Sequence, residues 1–419
     1  MHRMLSLLAL IFAGEMIFSL PFHLPRYFRP SFLETFSLSN AALGDAFAIY
    51  GITAMLAYFP GGMVADRLPP RTLMTISLLA TAAGGLYLYT LPSAFGLAII
   101  YGYWGVTTIL LFWAAMIRAT RQWGGESAQG KAFGILDGGR GLAAAACASL
   151  AVVAFSSLVP DTEPITTDAR ERAMRAVIGF YLGTTVLAAL GVWLFLDDAA
   201  HDHKQGAGAP RRQALTTVVE VLKNRTVWLQ AGIVVCAYCG YKGLDNIALY
   251  AHQVLGVGEA QAAGITAKGA YVRPLAAVCA GLLADRFNPA KVIVMLFGLM
   301  ALSAIGLALS KPDDLLVLYI YGLIALSFAA VFALRGVYFA LTHQIRVPFG
   351  ATGTAVGLVS VVGYTPDIFF APIAGRILDA APGLAGHQSY YWLLASIAIV
   401  GLASTVILLH QLTTKENPS

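Results

Sequence analysis

GGMVADRLPPR, residues 61–71, and AGLLADRFNPAK, residues 280–291, are the same turn written twice. Each closes an apolar run with Ala-Asp-Arg, then carries a proline and a late basic residue. The two aspartates, Asp66 and Asp285, lie 219 positions apart. A second pair repeats at nearly the same offset: GKAFGILDGGRG begins at Gly130, and GTAVGLVSVVGY begins at Gly353, 223 positions later. Two matches at nearly one spacing indicate an internal duplication.

Composition says what surrounds the duplicated unit. The chain has 419 residues, 58% of them hydrophobic and 12% charged. A soluble core cannot absorb that much apolar surface, so much of the chain has lipid as its solvent. Helices are expected, because they satisfy their backbone polar groups internally. Apolar runs predict twelve spans, at 4–33, 40–63, 71–91, 94–121, 130–158, 174–197, 226–253, 260–284, 290–310, 314–341, 350–377 and 388–411. The polar stretch 198–225 separates them, giving a six-helix bundle at 1–197, a linker, and a second six-helix bundle at 226–419. Lys and Arg concentrate on the side that holds Arg3, Arg67, Arg71, Arg121, Arg286 and the linker. That side is expected to be cytoplasmic, with both termini on it. The basic, apolar N-terminus reads as an uncleaved first span.

Several chemistries find no support. The net charge of +5 is scattered over short loops, which is no nucleic-acid footprint. No phosphate loop, zinc-protease helix, nucleophile elbow or metal spacing is present, so neither catalysis nor a cofactor is expected. Cys236 and Cys239 form a C-x-x-C, read as two small residues on a helix face rather than a redox pair.

The turn at 61–71 resembles the signature loop of the major facilitator superfamily. Gly62, Ala65, Asp66, Arg67 and Arg71 match it, and Pro69 replaces the family's central glycine. Gly281, Ala284, Asp285 and Arg286 match in the second copy, with Lys291 as the late basic residue. ALRGVYFAL (333–341) and GTAVGLVSVVGYTPDIFFAPIAG (353–375) are similar to a bacterial branch, the YihN-like transporters. The placement of Arg26, Asp137, Arg140 and Lys242 resembles organophosphate and organic-anion transporters. The resemblance implies an all-α membrane protein that carries a solute by alternating access. It also implies a cytoplasmic gate, with Asp66 near Arg118 and the start of span 11, and Asp285 near Arg335 and the start of span 5. In the family, spans 1, 4, 7 and 10 line the central path and spans 2, 5, 8 and 11 flank it.

Charges inside the spans point to the site. Each costs at least ~2.5–3.5 kcal/mol at the bilayer centre and persists by pairing or by facing water. Helical spacing places Glu15, Ser19, Phe22 and Arg26 on one stripe of span 1. It does the same for Tyr238, Tyr241, Lys242 and Asp245 on span 7, and for Ser360, Tyr364 and Asp367 on span 11. Asp137 and Arg140 enter span 5 to ~15 Å, near the depth where secondary transporters bind cargo. Gly138, Gly139 and Gly141 leave room beside them. Asp137 is expected to neutralise Arg140, and Asp245 to neutralise Lys242. Arg26 and Arg273 have no partner in sequence. Lys268, five positions from Arg273, points elsewhere.

Arginine forks suit carboxylate or phosphate. The expected cargo is a small organic anion: a sugar acid, a phosphorylated or sulfonated sugar, or a carboxylate. Tyrosines and Trp104 could wall it. Coupling falls to a proton or to exchange, with Glu15 and Asp367 as carboxylate candidates. Glu15 leads, because no basic residue stands within four positions of it. The expected protein is a bacterial inner-membrane monomer. Two rivals are a drug or cation exporter, disfavoured by AAAACASL in span 5, and a transporter-fold sensor that binds without moving its ligand.

Overall fold

The structure, a computed structural model, describes residues 2–125, 129–159, 165–197, 221–312, 317–343 and 352–416. Every element among them is helical. Among the described residues nine helices are long and apolar enough to cross a membrane, and the bent pair His2–Met16 and Ser19–Tyr27 makes a tenth candidate span. Much of the expected linker, residues 198–220, lies outside the described residues, as do residues 344–351, where span 11 is expected to begin.

Helix starts follow the sequence. Ser39 accepts a hydrogen bond from the Ala42 amide at 3.1 Å and opens Asn40–Arg67. Ser93, Thr166 and Asn288 cap Ala94–Thr108, Thr167–Phe195 and Pro289–Leu309 in the same way. Each side-chain oxygen satisfies an amide that the helix leaves open, contributing about 1 kcal/mol.

Spans 7 and 8 are not continuous helices. Span 7 runs as Arg225–Gly243, breaks into a tight 3-10 turn at Leu244–Asn246, and resumes as Ile247–Leu255. Span 8 is Glu259–Ala270 followed by Val272–Arg286. Span 11 is likewise divided, into Thr352–Gly363 and Pro366–Ala380. Span 1 loosens into a π turn at Ser19–His23 and bends by 41°. Pro21 and Pro25 lack the amide that a regular helix needs there, and a π turn is one way to absorb the loss. Span 4 carries a second π turn at Ile109–Trp113.

The chain packs as two compact units. The first comprises Met1–Ala200, Asp245–Pro274 and Asp367–Gly386. The second comprises His201–Leu244, Leu275–Pro366 and His387–Ser419. Two stretches from the later part of the sequence therefore belong, by packing, with the first 200 residues. Each begins at or beside one of the breaks just described.

Candidate functional site

Within the first unit the π turn of span 1, the middle of span 5 and the broken span 8 bring five ionisable side chains together. Glu15 is the hub. Its Oε2 accepts from Arg140 Nε at 3.1 Å, and its Oε1 lies 3.1 Å from His23 Nε2 and 3.5 Å from Arg273 Nη1. Arg273 Nη2 donates to Asp137 Oδ1 at 2.7 Å. Glycines make the approach possible. A Cβ on Gly14 would sit 3.2 Å from Arg140 Cδ, and one on Gly141 would sit 2.9 Å from Arg273 Cδ. The Arg140 guanidinium lies 5.9 Å from the ring centres of both Phe18 and Trp113, an aromatic seat for a cation.

These partners differ from the sequence expectation. Asp137 pairs with Arg273, not with Arg140 one turn away. Glu15, which has no basic neighbour along its own helix, holds two arginines from other spans. Lys268 is exposed and Arg273 is buried, on either side of the break in span 8.

Arg26 has a carboxylate partner from another span. Its Nε donates to Asp245 Oδ1 at 2.5 Å, with both side chains buried. Asp245 lies in the 3-10 turn Leu244–Asn246. The π turn Ser19–His23 lies between Glu15 and Arg26 in the chain, and its Ser19 faces Thr185 at 3.2 Å. A straight-helix projection puts these residues on single stripes, and a break in the helix falls within each stripe.

Two more ties join distant segments of the first unit. Arg170 clasps Glu259, with Nη2 at 2.7 Å and Nε at 3.0 Å from Oε1. Asp379 accepts from the Asn40 amide at 3.0 Å, the Ala41 amide at 2.7 Å and Asn40 Nδ2 at 3.0 Å. A residue near the end of span 11 thereby caps the first turn of span 2. Beside it, Arg376 reaches the exposed Asp45 at 2.9 Å. Asp367 stands in the first turn of Pro366–Ala380, where a helix favours a carboxylate, and its backbone packs on Gly51.

The second unit holds an aromatic group. The Arg335 guanidinium lies 3.8 Å above the Tyr241 ring and 5.9 Å from Tyr238. Tyr238 meets Tyr364 edge-on at 5.0 Å. Lys242, beside Tyr241 in sequence, is buried. Arg335 is thus engaged with the tyrosines of span 7, whereas the resemblance assigns it to Asp285. Trp104 is fully buried and donates to the Thr81 carbonyl at 3.1 Å.

Around the repeated turns, Arg118 Nη1 donates to the Ala65 carbonyl at 2.5 Å and so grips the backbone beside Asp66. Arg71 lies 4.2 Å over the Trp193 ring, and Arg286 5.8 Å from Phe287. Asp66, Arg67 and Asp285 are exposed. The other partners expected for Asp66 and Asp285, the start of span 11 near Gly350 and the Gly130 end of span 5, lie outside the described residues or side chains.

Comparison with known proteins gives a consistent result. The family model for the Major Facilitator Superfamily matches residues 5–371. The inner membrane protein YihN of Escherichia coli (strain K12) is 28% identical over 98% of this chain and 96% of its own. The inner membrane protein YqcE of the same organism is 27% identical over 99% and 97%. Among solved structures, the nucleoside transporter NupG superposes with a TM-score of 0.74, at 13% identity, over 98% of this chain and 99% of its own. A bacterial homologue of the human lysosomal transporter Spinster, in an inward-facing unoccupied conformation, gives 0.71 at 17% identity, over 97% and 95%.

Proposed function

The chain belongs to the Major Facilitator Superfamily, and on that premise we propose that it carries a small organic anion across the inner membrane by alternating access. The observation that supports the anion most directly is the convergence of Arg140 and Arg273 on one carboxylate, Glu15. Two guanidinium forks from different spans meet at a point that a substrate carboxylate or phosphate can occupy in place of Glu15. Counted along its helix, Arg140 stands about ten residues, or ~15 Å, from the start of span 5, near mid-membrane. Phe18 and Trp113 supply a flat wall beside the anion.

Both termini lie in the cytoplasm, and Asp66, Arg67, Arg71, Arg118, Asp285 and Arg286 work at that face. The ties Arg26–Asp245, Arg170–Glu259 and Asn40–Asp379 are contacts that break when the opposite face opens. Arg335 works with the tyrosines of span 7.

The test is uptake by the purified protein in proteoliposomes, with labelled gluconate, glucuronate and glucose 6-phosphate beside a labelled organic cation. Uptake of at least one anion is expected, and Arg140→Gln and Arg273→Gln should each reduce it about tenfold or more. Anion uptake that survives the double substitution overturns the assignment of the site. Movement of the cation alone would make the protein an exporter of the rival class.

A further inference from the structure

Lys268 is an exposed cation inside a membrane span. Counted from Glu259, where its helix begins, it stands nine residues in, or ~14 Å. Among the described residues no carboxylate pairs with it. A charge at such depth persists by pairing or by reaching polar surroundings. Tyr271 follows one turn later, in helical conformation at the end of the same helix, and is 44% exposed. Its hydroxyl lies 3.1 Å from Ser149 Oγ on span 5. Ser149 gives its own proton to the Ala145 carbonyl at 2.9 Å, so Tyr271 donates to Ser149. The Tyr271 oxygen can still accept a hydrogen bond.

The surface around these groups is apolar. On span 5, Leu142, Ala146, Leu150 and Val153 are exposed and recur at i, i+4, i+8 and i+11. They form one face of the helix, and Ser149 stands at its edge. The stretch 141–156 holds no charged residue. An exposed, uncharged apolar face on a membrane helix is one that meets lipid. A cation and a hydroxyl acceptor set beside such a face suit an amphiphile with an anionic head: the charge draws the head in, and the face receives the chains.

We propose that the seam between span 5 and the first half of span 8 binds a membrane phospholipid with an anionic, hydroxyl-bearing head, of the phosphatidylglycerol kind. Lys268 takes the phosphate, Tyr271 accepts a hydrogen bond from a head-group hydroxyl, and the acyl chains run inward along Leu142 and Ala146. The lysine stem lets the ammonium rise toward the head-group region while its methylenes stay in lipid, which shortens the distance that the phosphate must dip. An ammonium without a carboxylate partner leaves the phosphate no competitor for it. The Tyr271–Ser149 bond fixes the hydroxyl beside it, so the site is built from two spans. Nothing in this depends on which cargo the protein carries, since Lys268, Tyr271 and Ser149 take no part in the Glu15 cluster.

A reactive lipid tests this on the wild-type chain. Phosphatidylglycerol with an aldehyde in place of its terminal alcohol is mixed into phosphatidylcholine vesicles that hold the protein. The aldehyde condenses with a nearby amine, losing water, and borohydride reduction fixes the product for peptide mass spectrometry. Lys268 should carry the adduct, and added phosphatidylglycerol should suppress it about tenfold more than added phosphatidylcholine. No adduct at Lys268, while lysines of the loops are modified, overturns the proposal, and this arm needs no variant to fold. Glycerol 3-phosphate in the surrounding water should leave the adduct unchanged; suppression by it would overturn the lipid as occupant and make this a site for a soluble phosphate. Native mass spectrometry in mild detergent then checks each contact. Lys268→Met should lose a phosphatidylglycerol that the wild type retains, and Lys268→Arg should keep it. A Lys268→Met protein that retains as many as the wild type overturns the proposal. Tyr271→Phe should weaken retention of phosphatidylglycerol about threefold and leave that of phosphatidic acid, which has no head-group alcohol, unchanged. An equal fall for both lipids would overturn the hydroxyl contact.

Discussion

Arg26–Asp245 and Arg376–Asp45 are the same pairing of guanidinium and carboxylate in two regions of the first unit. Their closest contacts are alike, at 2.5 and 2.9 Å. Their surroundings are not. The side chains of the first pair are 9% and 6% exposed, those of the second 59% and 51%. Distance therefore does not rank them. A buried pair has been stripped of water, so removing one member strands the other at a cost of about 3–5 kcal/mol. An exposed pair exchanges protein contacts for water at little loss. The ties of this unit thus form a graded series, and transport by alternating access would use the grading, since contacts that hold one face shut must also let go.

Breaking the buried end of the series should have the largest effect. Asp245→Asn removes the carboxylate from a guanidinium that the protein keeps from water. Thermal unfolding in detergent can be followed by maleimide labelling of Cys147, Cys236 and Cys239, which are buried thiols. A loss of about 3–5 kcal/mol is expected. The pair Arg26→Met with Asp245→Leu should recover most of that stability, because an apolar pair carries no desolvation penalty. A melting temperature unmoved by Asp245→Asn would refute the ranking by burial.

Asp379 tests the middle of the series. It ends one helix and caps another, accepting from the Asn40 and Ala41 amides 339 and 338 positions away. At the end of its own helix a carboxylate meets the negative pole, whereas at the start of span 2 it meets the positive pole. It is stabilised only while the two segments touch. Asp379→Ala should cost about 1 kcal/mol of stability. It should also favour the conformation open on that face by about fivefold, read as faster labelling of a cysteine placed at Asn40. Labelling no faster than in the parent would make Asp379 a local cap with no part in opening.

What the sequence disclosed and what it hid divide along the same physical line. The helical class was legible in composition and spacing, and the family in the likeness of the turn at 61–71 to its signature loop. The pairings were not. Asp137 with Arg273, Glu15 with Arg140 and Arg26 with Asp245 all join residues more than a hundred positions apart. Helices break within the projected stripes, at Ser19–His23, Leu244–Asn246 and around Tyr364, so the breaks lie among the polar residues themselves. Signals for the breaks were present in Pro21, Pro25, Gly243, Gly363 and Pro366. Gly14 and Gly141 also marked the site, for each gives way to an arginine from another span. A single chain shows that a glycine is small but not which side chain passes over it.

The exposed end of the series should show the smallest effect, and its form is diagnostic. Arg376→Ala leaves Asp45 open to water and gives up a contact to the Pro372 carbonyl of its own helix. No shift in melting temperature beyond measurement error is expected, and any residual difference should vanish in high salt, because screening reaches exposed charges first. The charge reversal of Asp45→Arg with Arg376→Asp should then behave as the parent. Asp379 stands three positions from Arg376 on the same helix, however, so an introduced aspartate lies beside a carboxylate that already caps span 2. If the reversal opens this face while Arg376→Ala does not, the part of Arg376 is to keep negative charge away from Asp379. The exposed pair would then matter through the cap it adjoins, and the series would be one coupled latch instead of three separate ties.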